Sequence, residues 1–412
     1  MIILQNSWKL GLAFVFGCLA AAPLGAAESP VFAVTEHGAN LTDDQPDDDA
    51  FAKCLQAAID KGGVCRIGKG TLTLTMYPAE LRQSGQIAQN RDLNGLVIEG
   101  AGEDATTIHG TSAKGFDVLQ LNGVANLTVR NLTITAVKTT EDQTQGVNGI
   151  SMTNGTAKVL IERVTVRQLP YVVKPGRFDG GKAFTVQQGT QGAASSMEIE
   201  IRDCKVFDTP IGFGLDADTN QKILPGKINV RDNRFERVSL GYSLSFAGKD
   251  AGGADVPGFG LEITGNQLID VRRVLANGRV PDVVFSDNTV TTSQLPELPD
   301  PVIHSGIPLL IIGGARNRIE NNTFEYKIKV PAFVLIGGAS GNANSDRAAF
   351  IGNEFIGAAE VGIKALNNGV TNSRFAGNSF KGAEVDRDPV LSGPRLKNTW
   401  SAKGKAAKKS KN

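Results

Sequence analysis

The residues best equipped for chemistry lie between Gln168 and Ser245. Asp216 and Asp218 stand close together in Gly214-Leu-Asp-Ala-Asp218, with Lys222 just beyond. Lys182 closes a long stretch, Gln168 to Lys182, that also holds Tyr171, Lys174, Arg177 and Asp179. Two carboxyl groups can cut a glycosidic bond as acid and base, and their separation sets the stereochemistry. Cations beside a Lys, Arg or Tyr base suit β-elimination from a uronate instead, because the sugar carboxylate must be neutralised before the neighbouring carbon loses its proton. The candidate catalytic residues are therefore Asp216, Asp218, Lys182 and Lys222. Tyr171, Lys174, Arg177, Gln187 and Ser245 are the candidate substrate contacts. Each of these is also readable as a solvated loop residue, and they make a site only if one surface gathers them.

A repeat supplies that surface. Val129-Arg-Asn-Leu-Thr-Ile134, Ile161-Glu-Arg-Val-Thr-Val166, Val230-Arg-Asp-Asn-Arg-Phe235, Ile319-Glu-Asn-Asn-Thr-Phe324 and Phe375-Ala-Gly-Asn-Ser-Phe380 are variants of one pattern. Its fourth position holds Leu132, Val164, Cys204, Asn233, Asn266, Asn288, Asn322, Asn353 and Asn378. Recurrence at roughly 20–45 residues marks a solenoid, whose units bury their apolar faces against each other. The unit is built of strands, since Val, Ile and Phe alternate with polar residues and Gly or Asn breaks the runs. Stacked coils place the fourth positions in one column about 4.8 Å apart. Asn suits that bend because it tolerates left-handed geometry and can bond the next Asn.

This column resembles the asparagine ladder of right-handed parallel β-helix proteins of the pectin-lyase-like superfamily. A second resemblance lies in Ala33-Val-Thr-Glu-His-Gly-Ala39, Asp47-Asp-Asp-Ala-Phe51 and Gly62-Gly-Val-Cys65. Together they look like the opening module of pectate-lyase-superfamily chains, a short strand and a helix before the first coil. The expected fold is all-β: a single-stranded right-handed parallel β-helix over 65–385, with an N-terminal cap with an amphipathic helix at 28–64. Asp47 to Asp49 are expected to cap that helix, with calcium binding as the alternative. No other cofactor is expected.

In the superfamily a second strand of each coil carries the saccharide groove. Here those strands include Phe116–Asn122, Gly149–Thr153, Ala183–Gln187, Gly212–Asp216 and Gly241–Ser245. Alternation points Leu119, Leu121, Ile150, Met152, Phe184, Val186, Phe213, Leu215, Tyr242 and Leu244 inward. Gln120, Asn122, Ser151, Thr153, Thr185, Gln187, Gly214, Asp216, Ser243 and Ser245 then face out as a polar strip. Farther on, Leu310, Ile312, Val334 and Ile336 are expected to face out, as a covered or oligomeric surface.

The resemblance implies a carbohydrate-active protein working on a polysaccharide, uronate-containing, by lyase or hydrolase chemistry. A uronate epimerase and a non-catalytic binding, assembly or adhesin protein are the alternatives. The active-site motifs of named families do not carry over. Asp216 and Asp218 stand without a Gly-His-Gly or Arg-Ile-Lys partner, and Arg279-Val-Pro281 lacks the second Arg of pectate lyases because Val284 stands there. The Asp-Pro-His-Asp segment of alginate epimerases is also absent, although Asp300-Pro301 and His304 lie close together.

Residues 1–27 read as a secretory signal: Lys9, an apolar run from Leu10 to Leu24, and a small-residue site at Gly25-Ala-Ala27. That run is short of the ~20 residues a membrane span needs. The mature protein is thus expected in the periplasm or outside the cell, where a Cys54–Cys65 disulfide can form. Cys204 lies in the ladder column and reads as a buried hydrophobe. The net charge of +1 offers no global field for nucleic acid or membrane. Residues 386–412 read as a basic, disordered tail.

Overall fold

Each coil of the chain lies directly on the one before it, in register, so that a residue type repeated in sequence becomes a column in space. The computed structural model describes residues 29–83, 90–112, 117–138, 145–174, 177–188, 197–217, 226–246, 260–300, 309–337, 345–366, 370–392 and 398–401. The signal expected at 1–27 and the Lys-rich end, 402–412, lie outside them.

The coils pair in parallel. Lys205–Phe207, Arg234–Glu236, Gln267–Ile269 and Thr289–Thr292 form one run of neighbours, and Glu198–Arg202, Lys227–Arg231, Leu261–Thr264 and Val284–Ser286 another. The result is a right-handed parallel β-helix. Its interior is continuous: Val206, Phe235, Leu268, Val290, Phe324 and Phe355 stack along one column and are buried. Phe324 and Phe355 stack with ring centroids 4.5 Å apart.

The asparagine column forms as the spacing predicts. Asn233, Asn266, Asn288, Asn322 and Asn353 are buried, and each Nδ2 donates both to the Oδ1 of the next Asn and to a backbone carbonyl of the previous coil. Each Oδ1 also accepts a backbone N–H, such as Asn266 N to Asn288 Oδ1 at 2.9 Å. One detail differs from expectation. The left-handed residue is the one before the ladder: Asn131, Arg163, Asp203, Asp232, Gly265, Asp287, Asn321, Gly352 and Gly377 all have φ between 51° and 68°. The turn is made by the third position, leaving the fourth in a conformation that aims its amide along the column.

The cap holds the helix Asp48–Lys61, which buries Phe51, Leu55, Ala58 and Ile59. Cys54 and Cys65 are bonded and tie it to the first coil strand, Val64–Arg66. The acidic residues at its start do not cap it through their side chains. Asp47 accepts from the backbone N–H of Asn40 and Thr73, and Asp48 from those of Thr75 and Met76, so they pin the helix to the strand Gly70–Leu74 and the residues after it.

Two more expectations are corrected. Leu310, Ile312, Val334 and Ile336 are fully buried. Leu310 and Val334 continue the inward column of Tyr242 and Leu275, while Ile312 and Ile336 continue that of Leu244 and Asn277. In-register stacking fixes which parity faces the core, and Ile311 and Leu335 take the other side. These four residues therefore form no partner surface. At the other end, a strand at Thr399–Ser401 pairs with Arg374–Ala376, so the helix continues into the stretch read as tail.

Replacing Asn288 by Leu should lower stability by about 2–4 kcal/mol, because it strands the Asn266 N–H and the Ile263 C=O on the preceding coil and takes one of two donors from Asn322 Oδ1 on the next. Urea unfolding checks this; a loss below about 1 kcal/mol would mean the ladder bonds are replaced by others.

Candidate active site

The strands Leu119–Asn122, Ile150–Thr153, Lys182–Gln188, Ile211–Ala217 and Leu240–Phe246 build the polar sheet. Their inward residues, from Leu119 to Leu244, are buried as alternation requires. Outside run two columns. One is Gln120, Ser151, Thr185, Gly214 and Ser243; the other is Asn122, Thr153, Gln187, Asp216 and Ser245.

A third column, at the strand starts, carries the charge. Extending the register two residues before Leu119 and Ile150 brings Asp117 beside Asn148, and Asn148 beside Lys182. Asn148 Nδ2 donates to Asp117 Oδ1 at 2.7 Å, and Lys182 N donates to Asn148 Oδ1 at 3.2 Å. Gln120 Nε2 reaches Asp117 Oδ2 more weakly, at 3.5 Å. The Lys182 ammonium then pairs with Asp216 on the next coil. It reaches there because position 214 is Gly: a Cβ at that position would lie 2.9 Å from Lys182 Cδ. The network Gln120–Asp117–Asn148–Lys182–Asp216 thus crosses four strands.

Burial raises the Asp117 pKa above its ordinary value, outweighing the Asn148, Ser151 and Lys182 contacts that act the other way. Ser151 Oγ acts on the carboxyl from close by but makes no hydrogen bond of good geometry. Asp117 is thus the desolvated carboxyl of this sheet and Asp216 the ion-paired one, three coils apart and about 14 Å along the stack.

Of the sequence-predicted residues, Lys182, Asp216, Gln187 and Ser245 come together, with Gln187 and Ser245 flanking Asp216 in register. Tyr171 lies on a hairpin, Tyr171–Lys174 paired antiparallel with Arg177–Gly180. The hairpin base stands beside Asn148, since Val147 N donates to Pro170 O and Gly181 N to Val147 O, both at 2.9 Å. The backbone of Lys174 and Arg177 follows the hairpin, but their side chains lie outside the described structure, as do Asp218, Lys222 and His304 altogether. Sequence reasoning missed Asp117 and Asn148. A signal was present: Asp117 sits two residues before the inward Leu119, as Lys182 does before Phe184, where a polar residue interrupts the apolar parity.

A scan against protein-family models finds no match, and a search of curated proteins finds none. Solved structures do match. Tailspike protein gp49 from Acinetobacter baumannii bacteriophage Fri1, a capsular polysaccharide depolymerase, superposes with a TM-score of 0.52 at 12% identity, covering 90% of this chain and 62% of that one. The fold the two share is the right-handed parallel β-helix. The A-module of Azotobacter vinelandii mannuronan C-5 epimerase AlgE6 matches at 17% identity and a TM-score of 0.49 over 90% of this chain and 98% of that one. The catalytic domain of a GH87 α-1,3-glucanase in complex with nigerose matches at 13% identity and 0.49 over 91% and 68%. At these identities the likeness is one of fold.

The raised Asp117 pKa makes a signed prediction. Below the unfolded pKa of about 3.9 the group is neutral in both states and costs nothing. As pH rises through the higher native pKa, the native state must either keep its proton or ionise a buried acid, and stability falls. Asp117→Asn should therefore match wild type in acid and exceed it at neutral pH. Urea midpoints across the range would show it; a difference independent of pH would refute the burial argument.

Proposed function

We propose that the protein cleaves a polysaccharide lying across this sheet, with Asp216 and its Lys182 partner at the reacting bond and Asp117, three coils away and about 14 Å along the stack, holding another sugar of the chain. The single observation behind this is the Lys182–Asp216 ion pair standing on a polar strip. In hydrolysis, Asp216 would be one of the two carboxyl groups at the bond, with Asp218 of the same sequence stretch as the other. Lys182 would hold Asp216 in the free protein, and suits a glycan bearing carboxylates. The tailspike that shares the fold is a capsular polysaccharide depolymerase, which supports the substrate class. The signal-like residues 1–27 support action outside the cytoplasm, in the periplasm or beyond.

Lys182 also favours a second reading, β-elimination or epimerisation of a uronate. There the lysine would neutralise the sugar carboxylate and Asp216 would take the proton.

The test is incubation of the purified protein with polygalacturonate, alginate, dextran and laminarin. Hydrolysis predicts new reducing ends without ultraviolet absorbance from unsaturated uronates. That absorbance would identify a lyase, inversion without cleavage an epimerase, and binding alone a non-catalytic glycan-binding protein. Asp216→Asn should lower turnover by roughly two to four orders of magnitude. Full activity in that variant would move the chemistry elsewhere.

A further inference from the structure

The outward column beside the charged network holds polar atoms that the folded protein does not satisfy. Gln120 Oε1, Ser151 Oγ and Thr185 Oγ1 are buried without hydrogen-bond partners, on three successive strands at one register position. Ser151 and Thr185 are 0% exposed. The next member of the column is Gly214, and the Lys182 stem lies across it. A Cβ at position 214 would be 2.9 Å from Lys182 Cδ, 3.5 Å from Lys182 Cε and 3.5 Å from Thr185 Oγ1. Methylene groups of Lys182 and the Thr185 hydroxyl thus border the same space over Gly214, and methylenes cannot satisfy a hydroxyl. Val would fill the same volume without that penalty.

We propose that Thr185 is a substrate-positioning residue whose hydroxyl takes a hydroxyl group of the bound glycan, in the place the Lys182 stem fills in the free protein. The proposal rests on the reading of this sheet as a glycan-cleaving site. Substrate entry swings the Lys182 stem off Gly214. That movement uncovers Thr185 and separates the ammonium from Asp216, so the same step that seats the sugar frees the carboxylate. Ser151, one strand back, lies next in the column and faces Asp117, which places a neighbouring sugar of the chain toward that carboxyl. The unpaired hydroxyls are a cost held in the free protein and recovered on binding.

The test is Thr185→Val, with Thr185→Ser as the conservative control. Without glycan, Thr185→Val should unfold at the same temperature as wild type or higher, since it removes an unpaired buried hydroxyl. With whichever polysaccharide of the four wild type cleaves, Thr185→Val should raise KM about three- to tenfold while keeping kcat, the loss of one neutral hydrogen bond. Thr185→Ser should restore KM. A lower melting temperature in Thr185→Val would show that the hydroxyl has a structural partner, and an unchanged KM would show that it meets no substrate; either overturns the proposal. If wild type neither cleaves nor binds any of the four, the glycan-cleaving reading fails and this inference falls with it.

Discussion

In-register stacking is the constraint on which the rest depends. Parallel coils oblige every position to face its own counterpart one strand away, so a polar atom in the interior must be satisfied along the stack. The asparagine column meets that demand because one side chain carries both donors and acceptors, and each amide serves the Asn ahead and a carbonyl behind. Where the column begins, Leu132 and Val164 need no partner, and Cys204 accepts the change: its backbone N–H donates to Asn233 Oδ1, while burial lifts its thiol to about 12. A thiol so placed is protonated and inert, which fits its position as the hinge between an apolar and a polar column.

The same rule builds the candidate site. Columns turn single residues into lines, so a polar group at a strand start acquires a neighbour on the next coil. Asp117, Asn148 and Lys182 are such a line, and the register continues through Ile211 and Leu240 to Arg273. At that far end the chain meets a different need. Arg273 is 1% exposed and would be prohibitively costly alone. Asp300 answers it with a bidentate pair, delivered by a strap whose Pro296 and Leu298 carbonyls accept from Arg272. At Lys182, by contrast, the partner is on the open face and the connecting surface is a bare glycine. One line thus carries a bidentate pair at Arg273 and, at Lys182, an ion pair laid across a bare glycine.

The fold is legible in the sequence because its signal is repeated; the site is less so because its signal occurs once. Nine copies of one hexapeptide fix the column and the coil, and the alternation of Phe213 and Leu215 places Asp216 without ambiguity. What fails is reasoning from one strand in isolation. Leu310 and Ile312 read equally well in either parity, and only their neighbours Leu275 and Asn277 decide it. Asp47 reads as a helix cap, yet its oxygens go to a strand that sequence separation hides. The left-handed turn belongs to the third position, where Asn, Asp, Arg and Gly mix too freely to look like a motif. Asp117 escapes notice because the expected strand Phe116–Asn122 includes it at the inward parity of Leu119, whereas the strand itself starts at Leu119 and leaves Asp117 before it.

A polar group is left unpaired in a core for one of two reasons, and the columns separate them. Tyr242, whose hydroxyl has no partner, is packed edge-on between Phe235 and Phe285 in the interior, and burial pushes its pKa up. Its ring contributes aromatic packing that Phe would also provide, so the hydroxyl is tolerated there and does nothing on a face that no ligand reaches. Thr185 and Ser151 differ in kind. Their column looks outward, they are adjacent, the Lys182 stem lies over the neighbouring Gly214, and beside Ser151 stands a desolvated acid. The unpaired groups fall there on consecutive coils, next to a glycine over which a charged side chain lies. A local cost concentrated beside movable charge is where selection for function, and not for stability, leaves its mark.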